Sequence, residues 1–341
     1  MDVIVAGAGI IGCAIAYELS RRGLSVEVFD PRQVGGGASH ATAGVLAPFI
    51  EAPAQGPLQQ LTLESFGLYD EFVASAQADS GVAVEYRRCG TWELAEDAEH
   101  EKQLDAVAAR ARAAGFVAEW RSSALEGEDV AAGRRGLMIP SQGYVRVEQL
   151  LIALRQAAER RGARFFEGQA IERIALAGDE VVAHAGGRQV TCGALVIAAG
   201  SWSDAVGSES VGIRPVRGQL VRLRWARPPL PHILWGPDCY IVPWTDGTIL
   251  VGATVENVGF DERATADGIR GLLAAASCLL PGAADATFLD ARAGLRPASA
   301  DGLPVIRPSE RSSRLIYATG HYRNGVLLAP LTMQRVAAMI R

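Results

Sequence analysis

Gly7, Gly9 and Gly12 stand near the start of the chain in the spacing G-x-G-x-x-G, within DVIVAGAGIIGCAIAYELSRRGLSVEVFD. Glycines so placed serve phosphate chemistry: Gly7 permits a tight turn, Gly9 lets a pyrophosphate approach the backbone, and Gly12 lets a helix pack closely on a strand. Val3 to Val5 read as a buried strand before them. A helix follows and closes with Arg21 and Arg22 before a C-terminal Gly23. A second strand, Val26 to Phe29, delivers Asp30, 18 residues beyond Gly12, where an acid meets a ribose hydroxyl. The helix start adds amide donors and the positive end of its dipole for the phosphates. FAD and NAD share the ADP half that such a turn binds, so the glycines alone leave both open.

Three further stretches carry candidate chemistry. TGHYRNGVLLAP, residues 319–330, places Gly320, His321, Arg323, Asn324 and Gly325 before an apolar run that reads as the last helix, where Pro330 is tolerable if it falls in the first turn. AGLRP sets Arg296 between a strand and a turn. CYIVPW puts Tyr240 on the same strand face as Val242 and Trp244, ahead of a turn at Thr245, Asp246 and Gly247 and a return strand. Taken alone, Arg296 reads better as a surface ion pair, Tyr240 equally well as a core tyrosine, and His321 as a loop histidine bonded to backbone.

The rest of the chain supplies the elements that must position these groups. VEQLLIALRQAAERRGARFFEG gives a helix with an apolar stripe at Leu150, Leu151, Leu154 and Ala158; a hairpin turns at Gly186 and Gly187, and a buried strand ends at Gly200. No second nucleotide fingerprint appears, so one dinucleotide suffices. EDAEHEKQLDAVAARARAAG reads as an amphipathic helix ending at Gly115, Arg222 and Arg224 as the solvated face of a strand, and RPPLPHILWGP as a loop.

With 341 residues, 49% hydrophobic and 21% charged, the chain suits two folded domains. A net charge of −5 and scattered arginines give no footprint for nucleic acid. The uncharged run Val3 to Tyr17 is too short to span a bilayer. Five cysteines form no CxxC pair, which fits a reducing cytoplasm, and the five histidines form no metal-ligand spacing, so no metal site is expected.

The order of the motifs, with GGGASHATAGVLAP, VIAAGSW, CYIVPWTDGTILVGAT, AGLRPASADGLPVI and GHYRNGVLLAP following the fingerprint, resembles the FAD-dependent amine and amino-acid oxidases related to D-amino-acid oxidase. Within that family it is most similar to bacterial glycine oxidases of the thiamine-biosynthesis type. The resemblance implies an α/β fold with a Rossmann-like FAD-binding domain (1–45, 141–215 and 296–341) interleaved with a substrate domain (46–140 and 216–295) built on a mainly antiparallel sheet with helices. It implies FAD, held non-covalently, along Gly7, Gly9, Ile10, Ile11, Gly12, Asp30, Pro31 and Arg32, then Ser39, His40, Ala43, Gly44, Val45 and Leu46. The cofactor path continues through Ala170, Ala199, Gly200 and Trp202, and ends on Arg296, His321, Tyr322, Arg323, Asn324, Gly325, Val326 and Leu327.

By the same resemblance Arg296 and Tyr240 bind the substrate carboxylate, and Arg323 sets the charge of the pocket. A guanidinium fork that bonds both oxygens suits that task. The implied reaction is oxidative deamination of a small amino acid, first glycine, then sarcosine or small D-amino acids. Hydride passes to flavin N5, giving an imino acid and then an α-keto acid, ammonia and, with oxygen as acceptor, hydrogen peroxide. A place in thiamine thiazole synthesis, a homo-oligomer (a tetramer) and a cytoplasmic location are further implications. His40 and Val45 depart from the bulky aromatic and the Met of relatives. A flavin dehydrogenase feeding a quinone, an NAD enzyme and a non-catalytic FAD module are the rival readings.

Overall fold

A computed structural model of the chain describes residues 1–51, 56–122, 130, 134–177 and 180–340. A six-stranded sheet runs in the order Val305–Pro308, Leu315–Thr319, Ala194–Ile197, Val3–Ala6, Val26–Asp30, Arg164–Glu167, parallel except at its first pair. Its central strands Val3–Ala6 and Ala194–Ile197 are apolar at every position because both faces are covered. Val3, Val5, Val28 and Val196 face a helical layer of Ile10–Arg21, Val147–Glu159 and Gly325–Met339. Ile4, Ala6, Leu195 and Ile197 face a three-stranded antiparallel sheet of Ile171–Ala177, Glu180–Ala185 and Arg188–Cys192. The hairpin turn falls at Gly186 and Gly187, as the sequence indicates.

An eight-stranded sheet forms the second layer system, in the order Thr287–Ala298, Arg214–Arg224, Thr248–Gly252, Tyr240–Pro243, Ile233–Trp235, Thr91–Leu94, Arg135–Ile139, Glu119–Ser122. It is antiparallel except where Ile233–Trp235 meets Thr91–Leu94. The two-residue period of its strands separates the faces. Val221, Leu223, Ile241, Ile249 and Val251 pack with Leu272, Ala276 and Leu279 of the helix Ala266–Leu279. Leu220, Val242, Trp244 and Leu250 occupy the other face, and Tyr240 packs with them.

Three local expectations are corrected. RPPLPHILWGP contains the strand Ile233–Trp235, because its apolar triplet is wholly buried in the sheet. Arg296 lies inside the long edge strand Thr287–Ala298, with Pro297 opposite Pro215; an edge strand tolerates the donor that Pro297 lacks, and Pro215 lies outside the stretch Leu220–Arg224 that pairs with Thr248–Gly252. Pro330 falls in the second turn of Gly325–Met339, where its ring nitrogen cannot donate to the Val326 carbonyl four residues back. The Tyr69 hydroxyl donates to that carbonyl at 2.9 Å, and the Ser65 hydroxyl donates to the next one, of Leu327, at 2.6 Å. Both donors come from the adjoining helices Pro57–Gly67 and Tyr69–Ser80. Parts of the segment 46–140 lie outside the described residues.

Candidate functional site

Two neighbouring cavities lie between the six-stranded and eight-stranded sheets. The larger, about 240 Å³, is lined by Gly7, Gly9, Ile10, Ile11, Asp30, Pro31, Arg32 and Ser39, by Ala170, Ala199, Gly200 and Trp202, and by His321, Tyr322, Gly325 and Val326. Segments distant in sequence thus converge as expected. The helices Ile10–Arg21 and Gly325–Met339 both open at this cavity, and neither has an acidic residue in its first turn or a side-chain cap. Apart from the Ile10 amide, their first amides and positive dipole ends face the cavity, which suits a pyrophosphate at one end and an electron-accepting ring edge at the other. Ser39 Oγ accepts only the Ile10 amide, at 3.0 Å.

The local backbone agrees with the fingerprint's logic. Gly7 has φ +109°, and a Cβ on Gly12 would lie closer than 3.0 Å to the Gly7 carbonyl oxygen. Gly12 therefore permits packing and touches no cavity. Asp30 carries a second task beside the expected ribose contact: its carboxylate accepts the Ala8 amide at 2.7 Å and the Arg32 amide at 2.8 Å, so it braces the glycine turn. Burial raises its pKa against those bonds.

Four other expected cofactor residues lie off both cavities. The His40 ring turns back to the Gly37 carbonyl at 2.6 Å. Leu46 and Leu327 are buried in the helical core. Asn324 is the buried N-cap residue of the last helix. Ala43, Gly44 and Val45 line the smaller cavity instead of the larger one. His321 does face the larger cavity, but its Nε2 pairs with Thr332 Oγ1 at 3.0 Å, and burial lowers its pKa to about 3.

The smaller cavity, about 50 Å³, is lined by Tyr240, Arg296, Arg323 and Glu51 with small residues from 41 to 45. Arg296 and Arg323 line both cavities. Nη1 of Arg296 donates to the carbonyls of Thr254, at 2.9 Å, and Arg217, at 3.3 Å. Two carbonyls thereby fix one corner of the guanidinium, and among the described residues Nε and Nη2 meet no hydrogen-bond acceptor, which suits a bidentate ligand there. Burial lowers the Arg296 pKa, while nearby Tyr240 opposes that fall. Burial raises that of Tyr240, and the arginines oppose the rise. Two glycines make room: a Cβ on Gly218 would meet the Arg296 guanidinium closer than 3.0 Å, and one on Gly252 would meet the Tyr240 ring likewise.

Glu51 is the residue that sequence reasoning missed. It binds Arg323 through both oxygens, at 2.8 and 3.2 Å, with its side chain 9% exposed. Burial raises its pKa, and Arg323 and Arg296 oppose the rise. A signal existed, since Glu51 is the sole Asp, Glu, Lys or Arg between Arg32 and Glu64. With Arg323 so paired, two arginines and one carboxylate leave a single positive charge for an incoming anion.

Comparison with known proteins follows the same lines. The family model described as FAD dependent oxidoreductase (DAO) matches residues 2–339. The chain is 33% identical to glycine oxidase of Geobacillus kaustophilus over 99% of its own length and 92% of that protein. It is 36% identical to the bifunctional protein ThiO/ThiG of Synechocystis, of which it spans 51%. The crystal structure of the Geobacillus kaustophilus glycine oxidase superposes with a TM-score of 0.95 over 99% of this chain and 94% of that one. That of the Bacillus cereus enzyme superposes with 0.93 at 28% identity. The chain belongs to the DAO family of FAD-dependent oxidoreductases.

Proposed function

We propose that this FAD enzyme oxidises the α-carbon of a small amino acid, glycine first, with sarcosine and small D-amino acids as further substrates. The observation that carries the reading is the smaller cavity, where Arg296, Tyr240 and the Arg323–Glu51 pair converge beside the cofactor cavity in about 50 Å³. That space holds only a few water-sized groups, at roughly 10–15 Å³ for one. The relatives named glycine oxidase support the substrate class.

The free corner of Arg296 binds the substrate carboxylate in a bidentate fashion, and the Tyr240 hydroxyl donates a second, neutral hydrogen bond. The surplus positive charge of the pocket is neutralised by that carboxylate. Because Arg296 lines both cavities, a carboxylate on it places the α-carbon at their junction. FAD, held along Gly7, Gly9, Asp30, Arg32 and Gly325 of the larger cavity, would supply the hydride acceptor for that α-carbon. The product imino acid hydrolyses to an α-keto acid and ammonia, with hydrogen peroxide formed where oxygen takes the electrons. His321 serves as no base, since it is buried, neutral and bonded to Thr332. A homo-oligomer and a supply of glycine imine to thiazole synthesis complete the proposal; the relatives named ThiO/ThiG support the latter.

The test is the visible spectrum of the purified protein under anaerobic conditions. Bleaching by glycine, with recovery in air and stoichiometric peroxide, is the expected result. A flavin spectrum indifferent to glycine, sarcosine and D-alanine would sink the substrate assignment. Bleaching without peroxide on admission of air would replace the oxidase by a dehydrogenase.

A further inference from the structure

The segment from Thr254 to Glu262 leaves the eight-stranded sheet after Thr248–Gly252 and reaches residues that line the cofactor cavity. Its base is tightly fixed. The amides and carbonyls of Arg217 and Glu256 exchange two bonds of 2.9 Å. The Arg217 side chain, 5% exposed, binds Glu256 at 2.5 Å and Asp261 at 3.0 Å. Glu256 also accepts from Thr254 and Gln219, and its pKa falls to about 2: burial acts against the charge, but these donors outweigh it. A cation under the segment thus holds both Glu256 and Asp261, and the next residue, Glu262, is held in place.

From that base the segment makes two contacts across to the cofactor side. The Phe260 ring lies against Trp202, with centroids 5.7 Å apart. Glu262 binds Arg32 through both carboxylate oxygens, each at 2.8 Å. The Arg32 guanidinium in turn sits 4.3 Å from the Trp202 ring centroid and donates to the Gly36 carbonyl. Arg32 and Trp202 line the cofactor cavity, and Glu262 and Phe260 do not. A free Arg32 side chain has several rotatable bonds and would swing into water. Bidentate pairing and the indole face leave it one place, along the cavity wall.

We infer that Glu262 is a positioning residue for cofactor retention: through Arg32 and Trp202 it keeps the wall of the FAD cavity closed. The inference rests on FAD occupying the larger cavity and is independent of the substrate. The ion pair is about a third exposed, 35% and 30% for the two side chains, so solvent screens part of it. Its loss should speed flavin release on the order of three- to tenfold, as for a partly screened bidentate pair.

The experiment follows flavin release from the diluted holoenzyme as the rise in flavin fluorescence, for the wild type, Glu262→Gln, Arg32→Ala and the double variant. The expected result is faster release in each single variant and no further gain in the double, because Glu262 acts through Arg32. Raising the salt should speed release by the wild type more than by Glu262→Gln. Release at the wild-type rate in Glu262→Gln overturns the inference, and so do effects that multiply in the double variant. Flavin release needs no substrate, so a protein that retains FAD and ignores glycine tests this inference while refuting the substrate assignment. Failure to hold FAD after reconstitution overturns it together with the placement of the cofactor.

Discussion

Gly218→Ala is the sharpest test of the proposed role of Arg296 as carboxylate anchor. The added methyl would overlap the Arg296 guanidinium, whose Cζ and both terminal nitrogens lie closer than 3.0 Å to its position. Those atoms form the far end of a flexible side chain, so the arginine can swing away while the sheet stays intact. Its bonds to the Thr254 and Arg217 carbonyls would be lost with the aim they impose. A charge-assisted bidentate carboxylate bond contributes up to about 3 kcal/mol. At about 1.4 kcal/mol per decade, full loss is roughly a hundredfold in kcat/KM, and a misaimed but present guanidinium roughly tenfold. Alanine is itself better than glycine inside a strand by about 0.5–1 kcal/mol, so the unfolding midpoint should move little. The assay is glycine turnover by peroxide release, with the denaturant midpoint alongside. The double variant with Arg296→Ala should be no worse than Arg296→Ala alone. A folded Gly218→Ala enzyme within about threefold of wild-type kcat/KM would refute the placement of Arg296 as anchor, on the scale set above.

Arg296→Ala should lower kcat/KM for glycine by about a hundredfold or more, and near-normal turnover would end its assignment. Tyr69→Phe removes the donor that replaces the missing Pro330 amide, and should cost about 1–2 kcal/mol in denaturant unfolding. In a Pro330→Ala background, where the residue-330 amide can again donate to the Val326 carbonyl, the cost should shrink; an equal cost in both backgrounds would break the compensation argument. His321 has its folded pKa depressed from 6.5 to about 3, so the stability it contributes is full above pH 6.5 and is lost as pH falls toward 3. At pH 5 the loss is about 2 kcal/mol, at about 1.4 kcal/mol per unit. His321→Gln should therefore flatten the decline of thermal stability between pH 6.5 and 4.5, and an unchanged slope would show that the histidine charges freely in the folded protein.

The first motif was legible because its contacts are local. Gly7, Gly9 and Gly12 lie within one strand, turn and helix, and the packing of Gly12 on the Gly7 carbonyl follows from spacing alone. Tyr240 was legible for a similar reason: period-two alternation put it on one face with Val242 and Trp244. His40, Leu46 and Leu327 misled because adjacency to a motif is not orientation. Each sits in a stretch expected to carry the cofactor and turns toward backbone or core. Pro330 was misplaced because its tolerance depends on Tyr69, more than 250 residues earlier. No local pattern announces that partner.

Glu51 shows why the chemistry of the pocket was the hardest part to read. With Arg296 expected to bind the carboxylate and Arg323 expected to set the charge of the pocket, a surplus positive charge would remain in the pocket even with a carboxylate bound. Glu51, its side chain largely covered, removes that surplus by occupying the fork of Arg323, and so divides the labour between the arginines. Arg296 keeps its free corner because backbone carbonyls, which carry no net charge, orient it. An arginine held by carbonyls remains available to an anion, whereas one held by a carboxylate does not. The distinction rests on which partner each guanidinium meets in three dimensions. It is what turns a doubly basic pocket into one matched in charge to a single small carboxylate.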